Sequence, residues 1–433
     1  MQLSVIGSGY VGTTIAACFA DLGHNVVNVD IDTEIVDAIN RGEPPIHEDG
    51  LAELVAAHAG EDGTGRLRAT TDYTDVLETD VTFLCLPTPQ QSDGEIDLSV
   101  MEAGAEQLGT LAQKSEWHTV VVKSTVVPGT TEEVITPLLE EASRKVEGEQ
   151  LGIGMNPEFL REGTAVQDFR NPEKVVLGAD NARTLEDMHE VFAPLIAEAD
   201  PHVVETNSRT AEMIKYANNG FLATKVSLIN DIGNICKEFG VDAYEVADAI
   251  GLDDRIGEQF LRSGLGWGGS CFPKDTNAII HAAKQQGYTP AVLEAAVEVN
   301  DNQPERLLSL LDQHADVADQ KVTVLGLAFK PGTDDVRNSR AISVIEGLKD
   351  RGASIAAYDP VATANMRERF PDIEYADSAV DALTGAFACV VCTDWDEFAV
   401  LDDEFDQMEQ RVVVDGRHTV ESTEGLIYQG LTW

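Results

Sequence analysis

The segment from Gly264 to Asp275, GLGWGGSCFPKD, places a cysteine, a lysine and an aspartate beside a glycine-rich loop. Four glycines within six positions disfavour helix and strand, because glycine loses the most backbone entropy on ordering, and they let a ligand approach the backbone. Pro273 suits a first helical turn, so we predict that a helix begins just after Cys271. The positive end of that helix and the charge of Lys274 would favour the thiolate, and Asp275 could share its side of the turn. These neighbours favour covalent catalysis over an ordinary buried cysteine.

A second motif lies near the start of the chain, where an apolar stretch at residues 2–6 precedes the sequence GSGYVG. A helical stretch follows as far as Leu22, and a second apolar strand ends at an aspartate. Strand, G-x-G-x-x-G turn, helix, strand and an acid about 20 residues on form the full context of a dinucleotide-binding fold. The acid can accept from a ribose 2′-hydroxyl and would repel a 2′-phosphate, which favours NAD over NADP. The residues predicted to bind the cofactor here are Gly7, Gly9, Tyr10, Val11, Gly12 and Asp30.

Polar residues follow three further predicted strands, which begin near Asp80, His118 and Leu151. Parallel sheets bind ligands at the carboxyl ends of their strands, so we expect these residues to face the cofactor. Each of them alone could be a solvated loop residue, and their shared placement is what indicates a site. They are Pro87 and Thr88, then Lys123, Ser124 and Thr125, and finally Asn156, Glu158, Arg161 and Glu162.

A long helix is predicted from about residue 206 to Gly240, because apolar residues recur with helical periodicity over roughly thirty positions. A helix of this length usually bridges domains or forms a dimer interface. Lys215 and Asn219 lie four residues apart on it and therefore on one face. Two short helices are predicted next, over residues 241–251 and 255–264.

A second alternating α/β pattern begins after residue 303, with a turn that lacks G-x-G-x-x-G. Lys330, Arg337 and Arg417 lie at its predicted strand ends, where cations are candidates for binding an anion. The predicted fold class is α/β, with two Rossmann-like parallel-sheet domains joined by a long central helix and a small helical domain. The predicted boundaries are residues 1–205 for the first Rossmann domain, 206–303 for the helical domain with the cysteine loop, and 304–433 for the second Rossmann-like domain.

The composition narrows the class of protein. The chain has 76 acidic and 30 basic residues, a net charge of −46 that would repel nucleic acid and anionic membranes and is typical of a salt-filled, halophilic cytoplasm. No apolar run approaches the roughly 20 residues of a membrane span, and the N-terminus does not resemble a signal peptide, so we expect a cytoplasmic protein. The six scattered cysteines imply no disulfide framework, and Cys389 and Cys392 are read as core residues of a strand. No histidine spacing predicts a metal site.

Six segments, GSGYVG, KSTVVPGT, NPEFLREG, KYANN, GWGGSCFPKD and GLAFKPGTDDVRNS, together resemble the UDP-glucose/GDP-mannose dehydrogenase family over nearly the whole chain. The resemblance is closest to the members that act on UDP-glucose. It implies an NAD-binding N-terminal domain, a central domain that forms a homodimer interface, and a C-terminal domain that holds the nucleotide of the substrate. It also implies two successive NAD-dependent oxidations at C6 of the hexose, from UDP-glucose to UDP-glucuronate, within polysaccharide or glycan biosynthesis.

The same resemblance implies roles for individual residues. Cys271 would be the nucleophile that forms a thiohemiacetal and then a thioester. The implied catalytic residues besides it are Lys215, Asn219 and Asp275, which would support the oxyanion and the water, with Glu158 in acid–base chemistry and Thr125. Further cofactor contacts would come from Pro87, Thr88, Thr125, Glu162, Lys274 and Arg337. The implied substrate contacts are Glu158, Phe159, Leu160, Arg161, Lys215, Asn219, Arg255 (from the partner subunit), Phe260, Leu261, Arg262, Ser263, Gly264, Gly268, Lys330 and Arg417.

Other functions stay open on the sequence alone. Within the family, GDP-mannose or a UDP-N-acetylhexosamine could replace UDP-glucose as the substrate. A two-electron hydroxyacid dehydrogenase also joins a Rossmann domain to a long helix, but it would not need Cys271 or the second α/β domain. A non-catalytic sensor of nucleotide sugars is disfavoured by the complete set of Cys271, Lys274 and Asp275.

Overall fold

The computed structural model describes residues 1–91, 93–421 and 424–433. It consists of two compact units, Met1–Ala217 and Asn218–Trp433. The boundary between them falls inside a single helix of 32 residues, Ser208–Phe239. This is the long helix that the apolar periodicity predicts, and it ends one residue before Gly240.

The first unit is built on an eight-stranded sheet. Its strands are β1 Gln2–Ile6, β2 Asn25–Val29, β3 Leu67–Thr70, β4 Val81–Leu84, β5 His118–Val122, β6 Leu151–Met155, β7 Lys174–Ala179 and β8 His202–Thr206. Their order is β3-β2-β1-β4-β5-β6-β7-β8, and neighbours are parallel except for β6 with β7. The first six strands therefore have the order of a dinucleotide-binding sheet.

Helices cover both faces of this sheet. They are α1 Tyr10–Asp21, α2 Thr33–Asn40, α3 Leu51–His58, α4 Ser99–Gln107, α5 Thr136–Ser143, α6 Ala165–Arg170, α7 Ala182–Ala199 and the first turns of α8 Ser208–Phe239. Short 3-10 helices occupy Tyr73–Glu78 and Leu108–Gln113, and a π turn at Thr131–Ile135 leads into α5. Side chains alternate along each strand, so Val5 and Ile6 enter separate apolar clusters. The carboxyl ends of the strands are thereby fixed between two buried layers.

The second unit contains the rest of α8 and a six-stranded parallel sheet. Its strands are β9 Lys321–Leu325, β10 Ser354–Tyr358, β11 Glu374–Tyr375, β12 Ala388–Val391, β13 Val412–Asp415 and β14 Ile427–Gly430, in the order β11-β10-β9-β12-β13-β14. Its helices are α9 Ala243–Gly251, α10 Cys271–Gln285, α11 Ala291–Asp312, α12 Arg340–Asp350, α13 Thr363–Arg369, α14 Ala379–Leu383 and α15 Asp396–Ala399, with a 3-10 helix at Asp403–Gln407. The predicted fold class, two Rossmann-like sheets and a long helix, is confirmed.

Two local predictions need correction. The short helix predicted at residues 241–251 is confirmed by α9, but the one predicted at 255–264 is wrong, because that segment forms turns. Gly257 and Phe260 have φ angles of 71° and 61° there, which a right-handed helix does not accept. The helix predicted after Cys271 begins at Cys271 itself.

The CxxC pair lies in the core, as predicted. Cys389 and Cys392 are both buried and pack into different apolar clusters.

Within the described ranges, no helix combines the length and the apolar character that would let it cross a membrane.

Candidate active site

The turn after β1 has the geometry of a pyrophosphate cradle. Gly7 has a φ of 96°, and a Cβ atom at Gly12 would collide with the carbonyl of Gly7, so the turn and the first turn of α1 touch closely. Gly9 precedes α1, and a Cβ atom placed on it would meet open space. Tyr10 and Val11, the first two residues of α1, are half-buried, and no acidic side chain occupies this turn. The open helix N-terminus therefore fits the phosphates of a dinucleotide.

Asp30 lies directly after β2, beside this turn. Its carboxylate accepts from the backbone N–H of Ser8 at 2.6 Å and from that of Asp32 at 3.0 Å. The residue is half-buried, and a carboxylate has about four acceptor positions. Two positions therefore remain for a ribose diol, which agrees with the role predicted from the motif.

Glu48 joins the turn to the loop that follows β6, and sequence reasoning did not identify it. It is buried and accepts from the Tyr10 hydroxyl at 2.6 Å, from the Gly163 N–H at 2.8 Å and from the Ala165 N–H at 2.6 Å. Burial and the neighbouring carboxylate of Glu48 raise the pKa of Tyr10, which stays a neutral donor. Glu48 thus ties the predicted cofactor turn to the segment after β6, which also carries the predicted residues Glu158, Arg161 and Glu162.

Two of the predicted strand ends meet at β4 and β5. The hydroxyl of Thr88 donates to the carbonyl of Thr125 at 2.9 Å. Pro87 is exposed beside it, and Thr125 is half-buried. The structure therefore brings together the residues that were predicted from two separate strand ends.

Glu158 and Lys215 form a buried ion pair in the first unit. The Nζ atom of Lys215 lies 2.8 Å from Oε1 of Glu158, and the side chains are 4% and 9% exposed. Burial would raise the pKa of Glu158, but the charge and hydrogen bond of Lys215 outweigh it, and the pKa lies below its usual value. Lys215 also lies 5.5 Å from the centre of the Phe159 ring. The pair places an ionised carboxylate and an ammonium group at one point.

Lys123, one of the polar residues predicted at a strand end, follows β5 and is a further buried cation. Its Nζ donates to Oδ1 of Asn156 at 2.6 Å, and Asn156 donates to the carbonyl of Val176 at 2.7 Å. Burial lowers the pKa of Lys123 to about 8, against the opposing influence of Cys85 and Glu158. The signal in the sequence was a charged residue directly after an apolar strand in a chain that is poor in lysine.

The remaining residues of the loop after β6 are held by local bonds. The backbone N–H of Leu160 donates to Oε2 of Glu158 at 2.7 Å. Arg161 points outward and forms a bidentate pair with Asp168 at 2.6 and 3.0 Å. Glu162 is half-buried. The structure thus pairs Arg161 with an acid of α6, and the predicted contact of Arg161 with substrate stays a prediction.

Cys271 is the first residue of α10 in the second unit, and it is exposed. Its Sγ lies 3.6 Å from the hydroxyl oxygen of Ser270. One turn along the helix, buried Asp275 accepts from Nδ2 of Asn219 at 2.6 Å and from Nζ of Lys274 at 2.5 Å. A sulfur at a helix N-terminus is therefore followed on the same face by a carboxylate that a cation and an amide hold in place.

The glycine loop before Cys271 packs against the loops of the second sheet. A Cβ atom at Gly264 would lie 2.6 Å from the carbonyl oxygen of Gly416, and one at Gly268 would collide with that of Asn338. The N–H of Leu265 donates to Gly416 at 2.9 Å, and the N–H of Gly269 donates to the carbonyl of Arg337 at 2.9 Å. Glycine is required at these two positions because the backbone of the loop lies against the backbone of the sheet loops, which leaves no space for a Cβ atom.

The segment before the loop divides into buried and exposed residues. Leu261 and Ser263 are buried, and Ser263 pairs its hydroxyl with that of Thr432 at 2.6 Å. Phe260 is exposed with a positive φ, and Arg262 pairs with Asp248 at 2.8 Å. The remaining predicted contact, Arg255, is 88% exposed and pairs with Asp253 at 2.6 Å.

The cations of the second sheet have different surroundings. The Nε atom of Arg417 donates to the carbonyl of Cys392 at 2.9 Å, and its backbone N–H donates to Asp415. Arg337 forms a bidentate pair with Asp335 and is 63% exposed. Lys330 is half-buried, 5.7 Å from the centre of the Phe329 ring.

The comparisons with known proteins agree with this arrangement. The UDP-glucose/GDP-mannose dehydrogenase family matches through its NAD-binding domain at residues 1–196, its central domain at 209–302 and its UDP-binding domain at 323–422. A UDP-glucose 6-dehydrogenase of Haloferax volcanii, AglM, is 64% identical over 433 residues, with 100% of both chains covered. One from Rhizobium meliloti is 41% identical, with 94% of this chain and 92% of the relative covered.

A solved structure is similar over the same length. It is a UDP-glucose dehydrogenase of the archaeon Pyrobaculum islandicum, with a TM-score of 0.92, 39% identity, and coverage of 100% of this chain and 98% of the other. The match includes both sheets and the segment that carries Cys271. The chain belongs to the UDP-glucose/GDP-mannose dehydrogenase family.

Proposed function

We propose that this member of the family oxidises the C6 hydroxyl of UDP-glucose to a carboxylate, giving UDP-glucuronate through a thioester on Cys271. Family membership makes the chain an NAD-dependent oxidoreductase. The observation that carries the proposal is the exposed Cys271 on the first turn of α10, with Asp275 held one turn on by Asn219 and Lys274. The near relative named UDP-glucose 6-dehydrogenase supports the choice of substrate.

The chemistry follows from what a thiolate can do. Conversion of an alcohol to an acid removes four electrons as two hydrides, and when bound, NAD accepts a hydride in each oxidation. Between the two oxidations, Sγ of Cys271 bonds to the C6 aldehyde carbon and the oxygen takes up a proton, giving a thiohemiacetal. After the second oxidation, water adds to the thioester carbonyl and the C–S bond breaks, which restores the thiolate. The aldehyde is therefore never released.

The supporting roles are assigned by charge and placement. We assign Lys215 to the developing oxyanion, because its ammonium group is desolvated and paired with an ionised Glu158. Glu158 serves in proton transfer. Asp275, with Asn219, orients the water that hydrolyses the thioester. Helix α8 carries both Lys215 and Asn219, one turn apart.

The binding residues divide among the three proposed domains. In domain 1–205, the turn at Gly7–Gly12, Asp30 and the neighbouring strand ends would hold NAD. In domain 206–303, the segment that ends at Gly264 would contact the sugar nucleotide, and domain 304–433 would hold its diphosphate through Lys330 and Arg417. The proposed additional cofactor contacts are Pro87, Thr88, Thr125, Glu162, Lys274 and Arg337, and the additional substrate contacts are Phe159, Leu160, Arg161, Phe260, Leu261, Arg262, Ser263 and Gly268.

A substrate panel tests the proposal. UDP-glucose, GDP-mannose and UDP-N-acetylglucosamine are each supplied in limiting amount with excess NAD, and NADH is followed by absorbance. We expect two NADH per UDP-glucose with no trapped aldehyde, and slower reaction with the other two. A ratio of one NADH would contradict the four-electron reaction and favour a two-electron dehydrogenase, whereas faster oxidation of GDP-mannose would change the substrate.

We also propose that α8 forms a homodimer interface. Phe221, Leu228 and Ile235 recur every seven residues on it and are exposed in the single chain, with Phe239 one turn further at 80% exposure. A seven-residue apolar repeat on a long helix suits packing against a second copy. We expect Phe221→Asp to convert a dimer into a monomer by light scattering, with Val361→Asp, at another exposed apolar position, as the matched control. A monomeric parent protein would contradict the proposal.

A reducing, salt-filled cytoplasm is the proposed location. All six cysteines are thiols, and the proposed nucleophile among them is exposed, so an oxidising compartment would threaten the reaction. The net charge of −46 is the observation that supports a high salt concentration in that compartment.

A further inference from the structure

The backbone of the glycine loop is held by carboxamide side chains of two helices in the second unit. Asn300 and Gln303 lie on α11, and Asn230 and Asn234 lie on α8. Asn230, Asn300 and Gln303 are fully buried. We refer to these four residues as the amide clamp.

Asn300 makes a two-point contact with the backbone of Trp267. Its Oδ1 accepts from the Trp267 N–H at 2.7 Å, and its Nδ2 donates to the Trp267 carbonyl at 3.0 Å. The same Oδ1 atom occupies the place that a side chain at Gly266 would need. A carboxamide satisfies a donor and an acceptor at once, which neither a carboxylate nor an ammonium group can do.

The other members of the clamp hold Gly264. Its N–H donates to Oδ1 of Asn230 at 2.8 Å, and its carbonyl accepts from Nε2 of Gln303 at 2.7 Å. Asn234 donates to Oε1 of Gln303 at 2.9 Å and so fixes which end of that amide faces the loop. Both polar groups of Gly264 are therefore satisfied by side chains rather than by a strand or a helix.

The held backbone connects to Cys271 through aromatic packing. The ring of Trp267 meets the ring of Phe272 edge-on, with centroids 6.3 Å apart, and the indole N–H of Trp267 donates to Ser227 at 3.0 Å. Phe272 follows Cys271 in the first turn of α10. A shift of Trp267 would therefore be transmitted to the start of that helix.

From this geometry we infer that the amide clamp positions both the glycine loop and Cys271, so that Asn300, Gln303 and Asn230 are positioning residues for the reaction. The inference rests on the proposed function. Neutral amides are needed because the loop would lie against an anionic sugar nucleotide, and a carboxylate beside it would repel the substrate. The chain uses acid at 76 positions, yet all four of these carry an amide.

The test uses the full-length protein with substitutions at Asn300. Asn300→Ala removes both bonds, and Asn300→Asp keeps the shape but loses the donor while its carboxyl group is ionised. Asn302→Ala is the matched control, since Asn302 lies two residues away on α11 and is exposed. Two measurements are made, the affinity for UDP by calorimetry and the rate at which iodoacetamide alkylates Cys271, identified by mass spectrometry. Circular dichroism reports whether each variant is folded.

We expect Asn300→Ala to weaken UDP binding and to change the alkylation rate, each by about tenfold or more, because two buried backbone groups lose their partners. Asn302→Ala should match the parent protein. Asn300→Asp should resemble the alanine variant at pH 8 and regain UDP affinity at pH 5.5, because a protonated carboxyl group donates as the amide does. Dividing each value by that of the parent protein at the same pH removes the titration of shared groups.

The result that would overturn the inference is a folded Asn300→Ala variant with the UDP affinity and alkylation rate of Asn302→Ala. Failure of Asn300→Asp to recover on acidification, while folded at both pH values, would also overturn it. Neither readout requires turnover. A parent protein that binds UDP but does not oxidise UDP-glucose would therefore refute the proposed function and leave the clamp to be decided by these measurements.

Discussion

Replacing Glu158 by glutamine tests whether the Lys215–Glu158 pair is a buried ion pair on which the first unit depends. The charged atoms are 2.8 Å apart and the side chains are 4% and 9% exposed. Removing one partner of such a pair costs about 3–5 kcal/mol, because the other charge stays buried without compensation. We therefore expect Glu158→Gln, and likewise Lys215→Met, to lower the free energy of unfolding of the first unit by about that amount.

A surface pair in the same unit is the control. Arg41 and Glu43 lie 3.0 Å apart, but their side chains are 59% and 63% exposed. Exposed pairs contribute about 0–1 kcal/mol, so Glu43→Gln should change the free energy of unfolding by no more than that. The distances are nearly equal in the two pairs, so burial accounts for the expected difference in the free energy of unfolding.

The double variant separates stability from chemistry. With both charges removed, neither member of the pair leaves the other buried without its counter-charge, so Glu158→Gln with Lys215→Met should cost less than the sum of the single changes. Turnover should not recover with stability, because both proposed catalytic groups are absent. Hydrogen–deuterium exchange over a urea series, read from peptides that cover β6 and the following loop, gives the free energies for this region.

Equal losses of stability in Glu158→Gln and Glu43→Gln would contradict the buried ion pair. Additive single changes in the double variant would also contradict it, because the pair would then have no coupling energy. Either result would mean that water reaches the Lys215–Glu158 pair in solution. The ammonium group would then not be desolvated, and the assignment of Lys215 to the oxyanion would lose its basis.

Three further predictions concern the nucleophile, a buried histidine and salt. Cys271→Ser should lose nearly all steady-state turnover in the NADH assay while still binding NAD and UDP-glucose, because a hydroxyl is far less acidic than a thiol; turnover near the parent rate would exclude the covalent route. Burial lowers the pKa of His118 to about 3, below its unfolded value of about 6.5, so stability is unaffected above about pH 6.5 and is lost as the pH falls toward 3. Between pH 7 and 5 this loss amounts to about 2 kcal/mol in urea unfolding, and His118→Gln should remove it; an equal loss in the variant would contradict the assignment. The unfolding midpoint should rise between dilute buffer and molar KCl, because salt screens a net charge of −46; an unchanged midpoint would refute the screening argument.

Local periodicity was enough to predict the elements of the fold that have strong patterns. The strands of both sheets and α8 have apolar patterns, and the first turn has a glycine pattern. Each of these patterns spans only a few neighbouring residues, so it can be read from the sequence. The helix predicted at 255–264 does not form, and Phe260 adopts a positive φ there that its side chain disfavours. Such a conformation depends on packing against other segments, as in the burial of neighbouring Leu261 against Ile229 and Ala247. No pattern in the local sequence predicts it.

The site was predicted less completely than the fold. Motifs predicted Cys271 and Glu158 as site residues, and these stay predictions. No motif pointed to Glu48, which accepts from the N–H of Gly163, 115 residues away, or to Asn300, which accepts from the N–H of Trp267, 33 residues away. A carboxylate or an amide in a helix or loop has the same appearance in the sequence whether it faces solvent or a distant backbone. Its partner is set by tertiary packing, which one sequence without an alignment does not display.

The acid at the end of the second strand differs in its surroundings between the two sheets. This difference favours a dinucleotide at the first sheet and disfavours it at the second. Asp30 after β2 and Asp359 after β10 occupy the same topological position, and each accepts from the residue after the turn glycine, Ser8 at 2.6 Å and Leu327 at 2.7 Å. Asp30 takes one further donor and is half-buried, so acceptor positions remain for a ribose.

Asp359 is saturated by the protein itself. Besides Leu327, it accepts from the N–H groups of Ala328, Val361 and Ala362 and from the indole of Trp395, and it is buried. Five donors exceed the roughly four acceptor positions of a carboxylate, so no ribose hydroxyl can be added. The second sheet therefore cannot bind NAD in the manner of the first, although the strand order is the same. Among the cations at its strand ends, Arg417 donates through its guanidinium Nε to a carbonyl rather than to an acid. The strand order thus fixes where a ligand can lie, and the acid and the cation at the strand ends decide which ligand it is.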